Sequence, residues 1–298
     1  MPEVDPSVLR RLREVRGFVL DMDGTLVLGD RNNKALTLVP GALDLVTTLI
    51  EGGLPFCIFT NGTVKTPEQC VDALQQAGLP VPDGAALTPA SSAVDVFRRR
   101  GHRRVMVLGV KGITEVLESA GIEALPPLRG TACDAVLAGW YRQELTFESL
   151  EAAVEAVAAG AKYYSASQSP YFATSEGRSL GSSRAISAVV HDLTGVQVEV
   201  VGKPSLQALR TSARLLGVEP SELAVVGDDP ELEVPMAHKG GAFAVAVHTG
   251  IGHARSFTHL PERLRPHLDL PDVGALADLL RATADHPKRR GSGGAGRS

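Results

Sequence analysis

The chain has 298 residues, 44% of them apolar and 21% charged, enough to build one large domain or two ordinary ones. A formal charge of −4 is too mild to argue for or against a partner, but the scattered basic residues do not read as a nucleic-acid surface, the one basic stretch being the carboxyl-terminal "HPKRRGSGGAGRS". No apolar run approaches the ~20 residues of a membrane-spanning helix, and the widely spaced Cys57, Cys70 and Cys133 form neither a CxxC pair nor a zinc pattern.

The amino-terminal "MPEVDPSVLRRLREVRG" is charged and does not read as a signal peptide, so a reducing, cytoplasmic location is expected. The first apolar run, "GFVLD", predicts a buried strand that ends on two aspartates one residue apart, Asp21 and Asp23, before the turn residue Gly24. Two carboxylates so close repel each other, and at the edge of a core each also loses hydration; something must offset that cost unless the pair is simply solvated. "ALDLVTTLIEGG" predicts a helix with Leu43, Val46, Leu49 and Ile50 on its buried face and a glycine stop. "LPFCIFT" predicts a strand with Cys57 as a small core residue, delivering Thr60, Asn61 and Gly62 at its end. The helix in "TPEQCVDALQQAGL" starts at Thr-Pro and stops at Gly78, and another runs from Thr146 to Gly160. There Thr146 and Ser149 do not match the capping-box pattern, although Glu148 suits the positive end of the helix. Further strands are predicted at "RRVMVLGV", "DAVLAGW", "AKYYSAS", "VQVEVVG", "ELAVVGD" and "AFAVAVH".

Strands alternating with helices predict an α/β protein with parallel sheets, but the number of strands is large for one doubly wound sheet. A second α/β unit over residues 88–198 accounts for the surplus: the chain would leave the first unit at "LPVPDGAALTP" and return at "TGVQVEVVGKP". The expected division is a core of residues 1–87 and 199–285, an inserted unit of 88–198, and a disordered tail of 286–298.

Ligands of doubly wound folds sit at the carboxyl ends of the strands. Four predicted strands end there in chemistry: Asp21 and Asp23; Thr60, Asn61 and Gly62; Gly202, Lys203 and Pro204; Gly227, Asp228 and Asp229. Each set alone is ordinary turn or helix-start chemistry. Their joint occurrence, in this order, carries the signal.

"DMDGT", "TNG", "GKP" and "GDD" resemble the four motifs of the haloacid dehalogenase-like superfamily, and the insert resembles the large α/β cap of its branch with para-nitrophenyl phosphatases, phosphoglycolate phosphatases and nucleotide phosphatases. The resemblance implies a Rossmann-like core with an inserted cap domain, and a Mg²⁺-dependent phosphatase that hydrolyses small phosphate monoesters. Asp21 would be the nucleophile that forms an aspartyl-phosphate, and Asp23 the acid and then the base. Thr60, with main-chain N–H groups around Asn61 and Gly62, would bind phosphate. Lys203 would pair with Asp21 and the phosphoryl oxygens. Asp21, the main-chain carbonyl of Asp23, and Asp228 would hold the metal. A divalent cation would offset the carboxylate repulsion, and oxygen ligands with a phosphate partner suit Mg²⁺. The same resemblance implies a small phosphorylated metabolite as partner, no nucleic acid or membrane, and a homodimer contact through the cap.

Two segments depart from the pattern. Leu232 and Glu233 stand where relatives often carry Thr-Asp; Glu233 is a candidate to hold a metal-bound water, with a solvent-facing side chain as the alternative, and Asp229 is a candidate to compensate. In the cap, Trp140 and Tyr141 replace a Leu-Asp pair while Arg142 keeps its place. Ser167, Gln168 and Ser169 bring no carboxylate where relatives often have one. Trp140, Tyr141 and Tyr171 are candidates for stacking on a ring, with packing as the alternative. Arg142 is a candidate for a second anionic group, with a solvated arginine as the alternative. Two other functions remain open at this level: a phosphosugar phosphotransferase or mutase, and a non-catalytic phospholigand-binding homologue.

Overall fold

The structure, a computed structural model, describes residues 4–29, 36–174, 177–250, 257 and 259–284. The tail lies outside them. Two parallel sheets organise these residues. The first has six strands in the order Leu268–Leu270, Phe243–Val247, Leu223–Gly227, Gly17–Leu20, Phe56–Phe59 and Ala86–Leu87, every neighbouring pair parallel. Chain order reverses at Gly17–Leu20, whose two neighbours come from opposite halves of the sequence. A crevice opens at the carboxyl end of such a switch point, because the connections leave it toward opposite sides.

Helices cover both faces of this sheet. Alternate strand residues point to opposite sides: Phe18, Leu20 and Ile58 pack in one cluster with Leu45, Val46 and Leu49, while Val19, Cys57 and Phe59 pack in another with Leu209, Val234 and Met236. The helix Ala42–Glu51 buries Val46 and Leu49 as its sequence predicts, but not Leu43 or Ile50. Ala42, Leu45, Val46 and Leu49 are buried, whereas Leu43 is 47% and Ile50 45% exposed. The i, i+3, i+4, i+7 stripe begins at the small Ala42, a position that hydrophobicity alone undervalues.

The second sheet has five parallel strands in the order Glu199–Val200, Lys162–Ser165, Ala135–Ala138, Arg104–Leu108 and Glu123–Leu125. The helix Pro89–Arg100 contributes Ala90, Ala93, Val96 and Phe97 to the apolar cluster of this sheet. The strand Glu199–Val200 corrects the expected division, which gave residues 199 and 200 to the core: it pairs with Glu199 opposite Tyr164 and Val200 opposite Ser165. The switch of partners comes a few residues later, because Val201 and Gly202 still donate to the carbonyls of Ser165 and Ala166. An antiparallel hairpin, Tyr171–Thr174 with Gly177–Leu180, is attached to the inserted unit, and a second, Val27–Gly29 with Leu36–Leu38, follows the first strand of the core.

Local chemistry explains the helix starts. Thr66 and Gln69 form a capping box, each side chain bonding the other's main-chain N–H at 3.3 and 3.1 Å. Thr146 and Ser149 do the same at 3.2 and 3.0 Å, so a serine at the third helical position closes the box that the sequence pattern assigns to Glu or Gln. Cys57 and Cys70 are buried and free, and burial pushes the Cys57 thiol up to about 12.

His267 gives the core a pH-dependent contact. Its ring stacks on Phe243 at 5.1 Å, and Nδ1 accepts the Ala244 N–H at 2.8 Å. Burial first, then Arg11 and His238, pull its pKa down to about 4. Below about pH 6.5 the unfolded chain therefore binds a proton that the folded chain refuses. The stabilisation is complete above that pH and is lost as pH falls toward 4. After discounting for solvent around a half-exposed ring, the loss is expected to be roughly 1–2 kcal/mol. Urea titrations at pH 7 and pH 5 should show it, and His267→Gln should flatten that part of the profile.

Candidate active site

The four strand-end motifs converge. The strand Gly17–Leu20 delivers Asp21, Leu223–Gly227 delivers Asp228, and Phe56–Phe59 delivers Thr60, all at the carboxyl edge of the core sheet. Lys203 arrives from the end of the second sheet. Its side chain is 2% exposed, and Nζ donates to Asp21 Oδ1 and, at 2.7 Å, to Glu233 Oε1. An ammonium so buried would be too costly without partners. Burial alone would lower its pKa, but Asp21 and Glu233 together outweigh that and hold it above the ordinary lysine value.

The other oxygen of Asp21 meets Thr25, a residue of the same turn that motif reasoning left without a role. Thr25 Oγ1 lies 3.1 Å from Asp21 Oδ2 and 3.2 Å from Asp228 Oδ1, in a fully buried position. One hydroxyl proton thus faces two carboxylates. Gly24, at φ +85°, makes this approach feasible, since a Cβ there would lie 2.5 Å from Asp228 Oδ2. Gly250 closes the other side, where a Cβ would lie 2.1 Å from the same oxygen, and Thr249 Oγ1 donates to the Gly24 carbonyl at 2.6 Å. The signal that could have identified Thr25 was its place in "DMDGT"; Gly250, 226 residues from Gly24, left none.

Asp23 lies exposed on the same turn. Thr60 Oγ1 donates to its Oδ2 at 3.2 Å, and the Gly62 N–H donates to Thr60 Oγ1 at 3.0 Å. Although the residue as a whole is exposed, crowding of the carboxyl by nearby protein raises its pKa; the neighbouring Asp21 charge adds to the rise, and Thr60, Lys203 and Lys65 oppose it. Asp21 and Asp23 therefore differ in environment: the first is buried and held by an ammonium and a hydroxyl, and the second is exposed, with its pKa raised in part by the charge of the first.

Glu233 is not solvent-facing. It is 1% exposed, its Oε1 holds Lys203, and its Oε2 accepts the Asp229 N–H at 3.1 Å. Its stem runs over Gly227, where a Cβ would lie 2.1 Å from Glu233 Cγ. Burial raises its pKa, and the charges of Asp21 and Asp229 add to this against the pull of Lys203. Asp229 uses its carboxylate to accept the Glu231 N–H at 2.8 Å, fixing the turn that brings Glu233 inward.

Beyond the main-chain N–H expected to face phosphate, Asn61 has a side chain bonded to the main chain of Lys203. The Gly62 N–H is already engaged by Thr60. Arg142 is not brought into the carboxylate cluster; it is exposed, with its guanidinium 5.8 Å from the centre of the Trp140 ring. Trp140 marks the seam between the units, its N–H donating to Thr63 Oγ1 at 3.0 Å. Tyr141 packs into the apolar cluster of the second sheet, and Tyr171 lies exposed on the hairpin.

Comparison with known proteins identifies relatives of the whole fold. A family model described as haloacid dehalogenase-like hydrolase matches residues 18–123, and a related HAD-hydrolase-like model matches 200–276. The 5'-nucleotidase YutF of Bacillus subtilis is 27% identical over 80% of this chain and 90% of its own length. An acid sugar phosphatase of Staphylococcus epidermidis is 27% identical over 80% of this chain and 89% of its own. The crystal structure of a 4-nitrophenylphosphatase from Thermotoga maritima superposes with a TM-score of 0.79 at 27% identity, covering 90% of this chain and 98% of that one. The two matched segments carry the strands that end in Asp21, Thr60 and Asp228, together with Lys203, and the chain belongs to the haloacid dehalogenase-like hydrolases.

Proposed function

We propose that this phosphatase hydrolyses small phosphate monoesters with Mg²⁺ through an aspartyl-phosphate on Asp21. The observation that carries the reading is the unequal treatment of the two aspartates in one turn. Asp21 is buried and held by Lys203 and Thr25, while Asp23 sits beside it, exposed and bonded to Thr60.

The donor set suits a hard divalent cation. Among the described residues, no three acidic, histidine or cysteine side chains gather to hold an ion unaided. The expected set asks for two, Asp21 and Asp228, which share the Thr25 hydroxyl, plus the main-chain carbonyl of Asp23. Gly24 and Gly250 let the backbone pack against Asp228 where a Cβ would clash, and all the donors are oxygens. When bound, Mg²⁺ would screen the carboxylates from the phosphate and stabilise charge on its oxygens.

The side chains supply the rest. Asp21 attacks phosphorus as the bond to the leaving oxygen breaks, and Asp23 gives that oxygen its proton. The carboxylate of Asp23 then takes a proton from the water that attacks phosphorus, releasing phosphate and restoring Asp21. Lys203 and the Thr60 hydroxyl bind phosphoryl oxygens in both steps. The inserted unit would cover the cleft and set substrate choice, as lids do.

A panel of 5'-nucleotides, sugar phosphates and para-nitrophenyl phosphate, assayed for free phosphate, tests the reading. Phosphate release from at least one class supports it; isomer formation without release favours a mutase. Chelation by EDTA is expected to stop turnover and added Mg²⁺ to restore it. Full activity in excess chelator would remove the metal from the mechanism.

A further inference from the structure

Lys203 belongs to the site, yet its main chain sits at the point where the chain passes from one sheet to the other. Residues Glu199 and Val200 pair with the strand Lys162–Ser165 of the inserted unit, Val201 N–H donates to Ser165 O at 2.9 Å, and Gly202 N–H to Ala166 O at 3.1 Å. At the next residue the partner changes. Lys203 N–H donates to Asn61 Oδ1 at 2.8 Å, and Asn61 Nδ2 donates to Lys203 O at 3.0 Å. One amide side chain thus holds both main-chain groups of a single residue 142 positions away. The pairing is self-consistent, since turning the amide over would set donor against donor and acceptor against acceptor.

We propose that Asn61 is a positioning residue that fixes Lys203 to the core edge and isolates its ammonium from movement of the inserted unit. The packing at the junction supports this. A Cβ on Gly202 would lie 2.2 Å from Ala166 O, 2.6 Å from Asn61 Oδ1 and 3.0 Å from Pro89 Cγ, so the inserted unit's strand, the core loop and the first turn of its helix meet at one point. Asn61 directly follows Thr60, which bonds Asp23. The loop that presents the Asp23 partner therefore also holds the residue whose Nζ bonds Asp21 and Glu233. Any hinge motion transmitted through Glu199–Gly202 reaches Lys203 only past this two-point clamp. Without the clamp, a short displacement of the Lys203 main chain would carry Nζ off Asp21.

The inference rests on Lys203 serving the phosphatase chemistry proposed above, and the test separates the two. In the full-length protein, Asn61→Ala and Asn61→Asp would be compared with the wild type in steady-state hydrolysis of para-nitrophenyl phosphate with Mg²⁺. In parallel, acetylation of Lys203 by an N-hydroxysuccinimide ester would be followed by mass spectrometry. Asn61→Ala removes both bonds; Asn61→Asp keeps the acceptor for Lys203 N–H, sets an oxygen against Lys203 O, and serves if the alanine variant fails to fold. The expected result is a kcat about 10²-fold lower with KM changed less than about threefold, as for a misplaced catalytic group. Lys203 labelling should rise roughly tenfold, a change that a general loss of packing would spread over many lysines instead. Lys203 as protected in both variants as in the wild type would overturn the proposal, as would a newly accessible Lys203 with unchanged kcat. Absence of wild-type turnover would count against the phosphatase reading alone, and the labelling would still decide whether Asn61 holds Lys203.

Discussion

Asp21→Asn is expected to abolish turnover, by on the order of 10⁴-fold or more, while leaving the fold intact. The two side chains have nearly the same shape, and the amide oxygen can still accept from Lys203 or from Thr25, which bond the carboxylate now. What is lost is nucleophilicity, because a neutral amide does not displace an alkoxide from phosphorus. Removing one negative charge relieves repulsion with Asp23, Asp229 and Glu233 but also takes one of two counter-charges from the buried Lys203, so thermal stability should fall modestly while the fold is kept. Phosphate release and a melting curve on the same preparation check both halves. A variant that keeps wild-type turnover refutes the assignment of the nucleophile.

Lys203→Met carries the largest expected effect on stability. The ammonium is buried between Asp21 and Glu233, which are themselves almost fully buried. A methionine fills similar space and removes the cation, leaving two carboxylates facing each other without water. The expected cost is about 3–5 kcal/mol, with turnover lost as well. The sign of the pH dependence follows from the chemistry. In the variant the Glu233 carboxyl, raised by burial and freed from the pull of Lys203, would hold its proton more tightly folded than unfolded, so the deficit should shrink as pH falls from 8 toward 5. Denaturant titrations across that range read it directly. A cost that does not vary with pH would mean that lost packing dominates over stranded charge.

The legible part of this fold was the part written locally. Asp21, Thr60 and Asp228 each follow an apolar run of buried strand residues, so strand ends and chemistry could be read together. Lys203 followed a run of the same appearance, but only Glu199–Val200 of it is strand, and it belongs to the second sheet. Apolar composition says that a segment pairs, not with which sheet. Strands of two or three residues, such as Ala86–Leu87 and Leu268–Leu270, are too short for any periodicity to appear. Glu233 was undecided in sequence because a glutamate on a first helical turn usually faces water. It turns inward here because Gly227 leaves room for its stem and Lys203 waits beneath. The bonds of Asn61 to Lys203 and the contact of Gly250 with Asp228 join residues far apart in the chain, and such pairs have no local signature.

The roles of Asp23, Thr60, Lys203 and Asp228 all derive their sense from a bond between Asp21 and phosphorus. Turnover of para-nitrophenyl phosphate in the presence of hydroxylamine, followed by peptide mass spectrometry, tests for that bond most directly. An acyl phosphate at Asp21 would be captured as the hydroxamate of that residue, accumulating with turnover and absent from Asp21→Asn. Sustained phosphate release with Asp21 unmodified, or a hydroxamate at another carboxyl, would contradict the account.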